Sequence, residues 1–224
     1  MVVFVGGDGP AGGDLYALAG AGGPAIPITF SPVGEMRPAL SPDGSAVAFL
    51  RGSSLSDSTP ADVWVLSLWS GAERRVELPP GAGRPDRVGW DDGGRSLVIS
   101  AGGRPFRAAA PPEKGVARPV PAAERAAAES ALVVVLGDPA FARAVTCEQG
   151  RALCVVSDTG AASVFAQGAR EPARWGGDSV AYLQGDRLLV RPLGPGRARP
   201  VEWSSVPARP RQPTVFAGAT PGRR

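Results

Sequence analysis

The chain has 224 residues, 43% of them hydrophobic and 20% charged, which is enough apolar material for one core and too little length to require two. It contains no His and no Asn, and Lys114 is its one lysine. That excludes Ser-His-Asp and Cys-His nucleophile systems as well as histidine metal sites. The net charge is +3, carried by arginine and concentrated at the end, where Arg187, Arg191, Arg197, Arg199, Arg209, Arg211, Arg223 and Arg224 face the single acid Glu202.

From the start, Met1 to Gly7 reads as a β-strand entered abruptly. It has no charged n-region and is too short to serve as a signal peptide. The expectation is a cytoplasmic protein, or the mature or trimmed part of an exported one. No stretch approaches the ~20 apolar residues of a membrane span. The 31 Gly and 24 Pro fall between short apolar runs, the pattern of many short strands joined by turns. The glycine-rich stretch from Gly6 to Gly13 lacks the Lys-Ser/Thr of a phosphate loop and reads as a hairpin loop.

Three segments then repeat: Arg37 to Leu50, Asp86 to Ser100, and Pro172 to Leu183. Each is a short strand, a tight Asp/Gly turn and a strand of small or β-branched residues. Asp43-Gly44 and Asp92-Gly93 are the expected turn pairs, because such turns need a positive φ that Gly accepts. Further strands follow each segment, Asp62–Leu68 with Arg75–Leu78 in one case and Asp186–Leu193 with Ala198–Trp203 in another. Four strands at a period of about 40–50 residues are the signature of a propeller blade.

The Ser41-Pro42-Asp43-Gly44 turn, its following Ala46–Phe49 strand and the Asp62-Val63-Trp64-Val65 strand resemble the WD40-like (PD40) repeat of TolB-type β-propellers. The match is good for blades two and five, partial for one and three, and poor for four. The resemblance implies an all-β propeller of a kind found in periplasmic Tol-system proteins, envelope lipoproteins and peptidase-linked propellers, and it is uninformative about function. Relatives of this kind can carry a peptidase, but the chain has neither a Gly-x-Ser-x-Gly elbow nor any His.

The predicted architecture has five four-stranded blades. Blade one uses Val2–Val5, Leu15–Leu18 and Ala25–Thr29. Blade two runs from Arg37 to Leu78, blade three from Asp86 to Val120, blade four from Ala131 to Gln167, and blade five from Ala173 to Trp203. The strand Pro213–Phe216 supplies the first strand that blade one lacks, closing the ring; an incomplete six-bladed ring is the alternative. The domain spans 1–218, with 219–224 a basic tail. Pro121 to Glu129 is the one helix-prone stretch and reads as a linker with one or two helical turns.

Two features stand out as candidates. A two-residue turn at Gly150-Arg151 would place Cys147 directly opposite Cys154, within disulfide reach. Such a bond implies a periplasmic or extracellular location, whereas free thiols would fit the cytoplasm. Trp69, beside the Ser70-Gly71 turn, is a candidate anchor for a partner, with Arg187 and Arg191 as further binding candidates. Trp64, Trp90, Trp175 and Trp203 are expected between blades. The turn acids Asp43, Asp91, Asp92 and Asp178 read as structural, and no catalytic residue, metal site or cofactor is assigned. The function expected is a non-enzymatic scaffold that binds another protein. A glycan-binding or glycosidase-like five-bladed propeller is the alternative, and a small-molecule ligand is compatible with either. Nucleic acid is not the expected partner, because no aromatics interleave with the arginines.

Overall fold

A computed structural model of the chain describes residues 1–7, 13–19, 23–52, 61–91, 93–110, 115–132, 134–138, 141–175, 179–185, 187–201 and 211–215. It is a five-bladed β-propeller, each blade a four-stranded antiparallel sheet. Blade one contains β1 (Val2–Gly6), β2 (Asp14–Leu18) and β3 (Ala25–Pro27). Blade two contains β4 (Glu35–Leu40), β5 (Ala46–Arg51), β6 (Asp62–Ser67) and β7 (Glu73–Val76). Blade three contains β8 (Pro85–Trp90), β9 (Ser96–Ala101), β10 (Arg104–Ala109) and β11 (Arg118–Pro119). Blade four contains β12 (Val134–Asp138), β13 (Phe141–Cys147), β14 (Ala152–Val156) and β15 (Ala162–Gln167). Blade five contains β16 (Ala169–Trp175), β17 (Ser179–Gln184), β18 (Arg187–Pro192) and β19 (Arg199–Pro200).

The last strand, β20 (Arg211–Val215), pairs with β1 and completes blade one. The pairing of β20 with β1 closes the ring and covers the inner edge of β1.

Position within a blade dictates composition. The second strands β1, β5, β14 and β17 are Val-Val-Phe-Val-Gly, Ala-Val-Ala-Phe-Leu-Arg, Ala-Leu-Cys-Val-Val and Ser-Val-Ala-Tyr-Leu-Gln, and they are buried along almost their whole length. Both of their faces meet a neighbouring blade, so they are continuous apolar runs with no polar alternation. The outermost β11 and β19 are exposed and only two residues long.

Four of the five gaps between blades are filled by apolar side chains. Val3, Val5 and Leu15 meet Val47, Phe49 and Leu66 between blades one and two. Met36, Leu50 and Val65 meet Trp90, Ile99 and Phe106 between blades two and three. Leu153 and Phe165 meet Val180 and Tyr182 between four and five, and Leu183 and Val190 meet Val2 and Phe4 between five and one.

The gap between blades three and four is built differently. A 3-10 turn (Ala122–Glu124) leads into the short helix α1 (Arg125–Ser130), and Ala128, with Ala131 and Leu132, packs on Val98 and Val120 of blade three. Gly89 makes this possible, since a Cβ there would lie 2.0 Å from the Ala131 carbonyl oxygen.

Trp64 and Trp175 are partly buried against these clusters and Trp90 is buried in one. Trp203, Asp178, Asp92 and residues 219–224 lie outside the described residues.

Candidate functional site

The β4–β5 turn is held by its own side chains. Ser41 Oγ accepts the Ala46 amide at 2.9 Å and donates to Asp43 Oδ1 at 2.6 Å, and Asp43 also accepts the Ser45 amide. These bonds, that from the Ser41 hydroxyl foremost, hold the Asp43 carboxyl below the usual aspartate range. Gly44 takes a φ of +71°. In blade three, Asp91 occupies the place of Ser41, accepting from the Arg95 and Ser96 amides and the Ser96 hydroxyl. Burial pushes the Asp91 carboxyl up, but these bonds outweigh it and the net shift is downward. The glycine equivalent to Gly44 is Gly94, with φ +65°, one residue beyond Gly93 of the expected pair.

These two turns and the β6–β7 turn enclose a groove of about 440 Å³ between blades two and three. Trp90 lies in it, buried and fixed by a 2.8 Å bond from Nε1 to the Ala39 carbonyl. Ser41, Asp43, Ser67, Glu73 and Arg74 supply its polar groups. Trp69 stands at the groove with 88% of its surface exposed. Its turn is rigidly tied: Leu68 N donates to Ser45 O and Gly71 N to Ser67 O, both at 2.9 Å. An indole held out in water on a braced turn is a preorganised hydrophobic contact.

The other binding candidates stand elsewhere. Arg191 is partly buried, its guanidinium lying 4.5 Å from the Phe165 ring centroid and donating to the Phe165 carbonyl. It is committed to the seam between blades four and five. Arg187 is exposed at the other end of β18. Neither lies among the residues that line the Trp69 groove.

Around the propeller axis, the innermost strands share a feature that the sequence reading missed. β4, β8, β12, β16 and β20 each carry a register shift against their neighbour. In blades two and five the shifts fall at Arg37-Pro38 and Glu171-Pro172, where Arg37 and Glu171 have φ of +53° and +52°. The two side chains meet at 3.4 Å across blade one. The signal available was the recurrence of a polar residue followed by proline, as also in Gln212-Pro213 of β20.

Cys147 and Cys154 form a disulfide, with Cα atoms 5.8 Å apart. The expected register is corrected: Cys147 stands opposite Ala152, and Cys154 opposite Val145, so the bond runs diagonally. The reason is the connection. Glu148–Gly150 forms a 3-10 turn with Gln149 at φ +58°, longer than the two-residue turn predicted at Gly150-Arg151.

Among the described residues, no group of three or more Cys, Asp or Glu is placed to hold a metal ion, and no helix is long and apolar enough to cross a membrane.

No protein-family model matches the chain, and no curated protein matches it. Several solved structures align with it. A TolB from Agrobacterium tumefaciens does so at 14% identity and a TM-score of 0.38, over 85% of this chain and 56% of that one. The tricorn protease aligns at 15% identity and 0.48, over 95% of this chain and 23% of that one. The periplasmic gluconolactonase of Pseudomonas aeruginosa aligns at 15% identity and 0.34, over 90% and 66%. The chain thus spans about half of the first of these and about a quarter of the second. The fold assignment rests on the chain's own five sheets.

Proposed function

We propose that the chain is a non-catalytic propeller that binds another protein through the groove between blades two and three, and that it works in the bacterial cell envelope. The observation that carries this reading is Trp69, 88% exposed at the groove while Trp90 is buried within it. Covering such an indole removes a large apolar area from water, and tryptophans in this setting dominate interface energies. Asp43, Glu73 and Arg74 give the groove charges of both signs, which suits a polypeptide segment. The disulfide supports an oxidising compartment.

The chemistry of the groove argues against general acid catalysis. Asp43 is held ionised below the usual range, the opposite of what a proton donor near neutral pH requires. The glycosidase alternative calls for converging carboxylates on the axis, and Glu171 is there paired with Arg37.

The test is affinity capture from an envelope extract of the source cell, with cross-linking and mass spectrometry, comparing the natural chain with Trp69→Ala. A stoichiometric protein partner cross-linked near residues 67–74 and weakened about tenfold or more by Trp69→Ala is expected. Capture that is indifferent to Trp69 would overturn the groove assignment. Capture of no protein would favour glycan screening.

A further inference from the structure

The wedge of α1 fills only part of the gap between blades three and four. Strand alternation puts Arg87, Gly89, Val98, Ser100 and Arg107 on the face of blade three that looks toward blade four. The helix covers Gly89 and Val98, and Arg107 is ion-paired to Glu124 at 2.7 Å. Beyond it a cleft of about 520 Å³ remains, of the size that small-molecule sites occupy. Arg87 and Ser100 line it from blade three, Arg143 from blade four, and Glu129 and Ser130 from the helix, while Arg104 borders it with its guanidinium turned to the other face, over the Phe106 ring.

Its lining is polar and mostly unspent. The guanidiniums of Arg87 and Arg143 stand beside two carboxylates, Asp86 and Glu129. Arg104 is occupied, donating to the Gly81 carbonyl at 2.7 Å. Arg87 meets Asp86 only at 3.9 Å, through Nε, which leaves both terminal nitrogens open. Arg143 is exposed and has no ion-pair or hydrogen-bond partner among the described residues. Ser100 is a buried residue whose hydroxyl opens on the cleft, and it has no protein hydrogen-bond partner among the described residues. A hydroxyl at a cleft wall that is bonded by water alone is available to a ligand, which can replace that water. Guanidinium forks recognise oxyanions, and carboxylates and hydroxyls together recognise a ligand's own hydroxyl groups.

We infer that the cleft between blades three and four binds a small polyhydroxylated molecule bearing one oxyanion group, in the size range of a phosphorylated or carboxylated monosaccharide. Arg87 and Arg143 take the oxyanion, Ser100 and Glu129 take hydroxyls, and Ser130, whose own hydroxyl donates to the Ala126 carbonyl at 3.0 Å, can accept from one. This site is separate from the Trp69 groove and does not depend on what that groove binds.

Isothermal titration of the full chain with glucose 6-phosphate, glucuronate and inorganic phosphate tests it. Saturable binding of one of the two sugars below ~10 mM is expected, with inorganic phosphate at least about tenfold weaker. Which sugar binds distinguishes a phosphate from a carboxylate source. Arg143→Gln and Ser100→Ala should each weaken binding about tenfold. Because Arg143 is an exposed strand residue, its variant should keep the natural thermal midpoint, so that loss of binding is not loss of fold. Absence of saturable binding, binding indifferent to Arg143→Gln, or phosphate binding as well as the sugars would overturn the inference.

Discussion

Arg37 and Glu171 lie 134 residues apart in sequence and 3.4 Å apart in space, and both sit at left-handed φ immediately before a proline. A left-handed conformation costs a non-glycine residue about 1 kcal/mol or more. At a bulge the extra residue must leave the pleat, and in both strands this geometry carries the side chain to its partner. The ion pair is partly exposed and returns at most about 1 kcal/mol.

Glu171→Gly should therefore be more stable than Glu171→Ala by about 1 kcal/mol, because Gly relieves the strain that Ala retains. Denaturant midpoints of the two variants read this directly. Equal midpoints would mean that the backbone at 171 is not held left-handed in solution.

Between blades one and two, Glu35 is fully buried and accepts from Thr29 Oγ at 2.7 Å and from Arg51 Nε at 3.0 Å. Arg51 in turn spans the Trp64 ring, 4.5 Å from its centroid, and pairs with Glu73. Burial raises the Glu35 carboxyl above its usual range despite these partners. Arg51→Met should cost about 3–5 kcal/mol at pH 7, since it strands a buried carboxylate. The folded pKa of Glu35 exceeds the unfolded one, so native protein binds the proton more tightly and stability falls as pH rises through the folded value. Part of the Arg51→Met loss should then be recovered at pH 5. Guanidinium titrations at the two pH values measure it, and an equal loss at both would contradict the assignment.

The turn aspartates run the other way. Asp43 and Asp91 are shifted down, so their contribution is present above the unfolded pKa and lost as pH falls through the lower, folded value. Acid unfolding curves of Asp43→Asn and Asp91→Asn should be flatter than the parent's below the ordinary aspartate range.

Reduction of Cys147–Cys154 opens a loop of sequence separation 7, for which chain entropy predicts about 2.5 kcal/mol. In a domain of this size that corresponds to a thermal midpoint lower by about 4–10 °C. Scanning calorimetry with and without dithiothreitol, alongside the Cys147→Ser/Cys154→Ala pair, measures the change. An unchanged midpoint would show that the hairpin is already fixed by its strands.

Gly89→Ala should displace α1, since its Cβ would fall 2.0 Å from the Ala131 oxygen. Faster amide exchange across residues 122–132 with blades two and five unaffected is the expected pattern. Uniform protection would mean that the helix does not depend on Gly89.

Sequence alone determined what depends on neighbours in the chain. The buried second strands are unbroken apolar runs because each is covered on both faces, and the Ser41–Gly44 turn carries its own hydrogen-bond partners within five residues. Ring closure was legible as well, because blade one lacks a first strand and the chain ends with one to spare. Tertiary structure decided everything that joins distant segments. The meeting of Arg37 with Glu171 depends on the ring being five blades round, and the Arg51–Glu35–Glu73 cluster on how blade two folds upon itself. The disulfide register turned on a 3-10 turn that a two-residue count could not show. The exposure of Trp69 was likewise beyond composition, because the same residue at a blade edge is buried or bare according to whether a neighbouring blade reaches it, as one does Trp90.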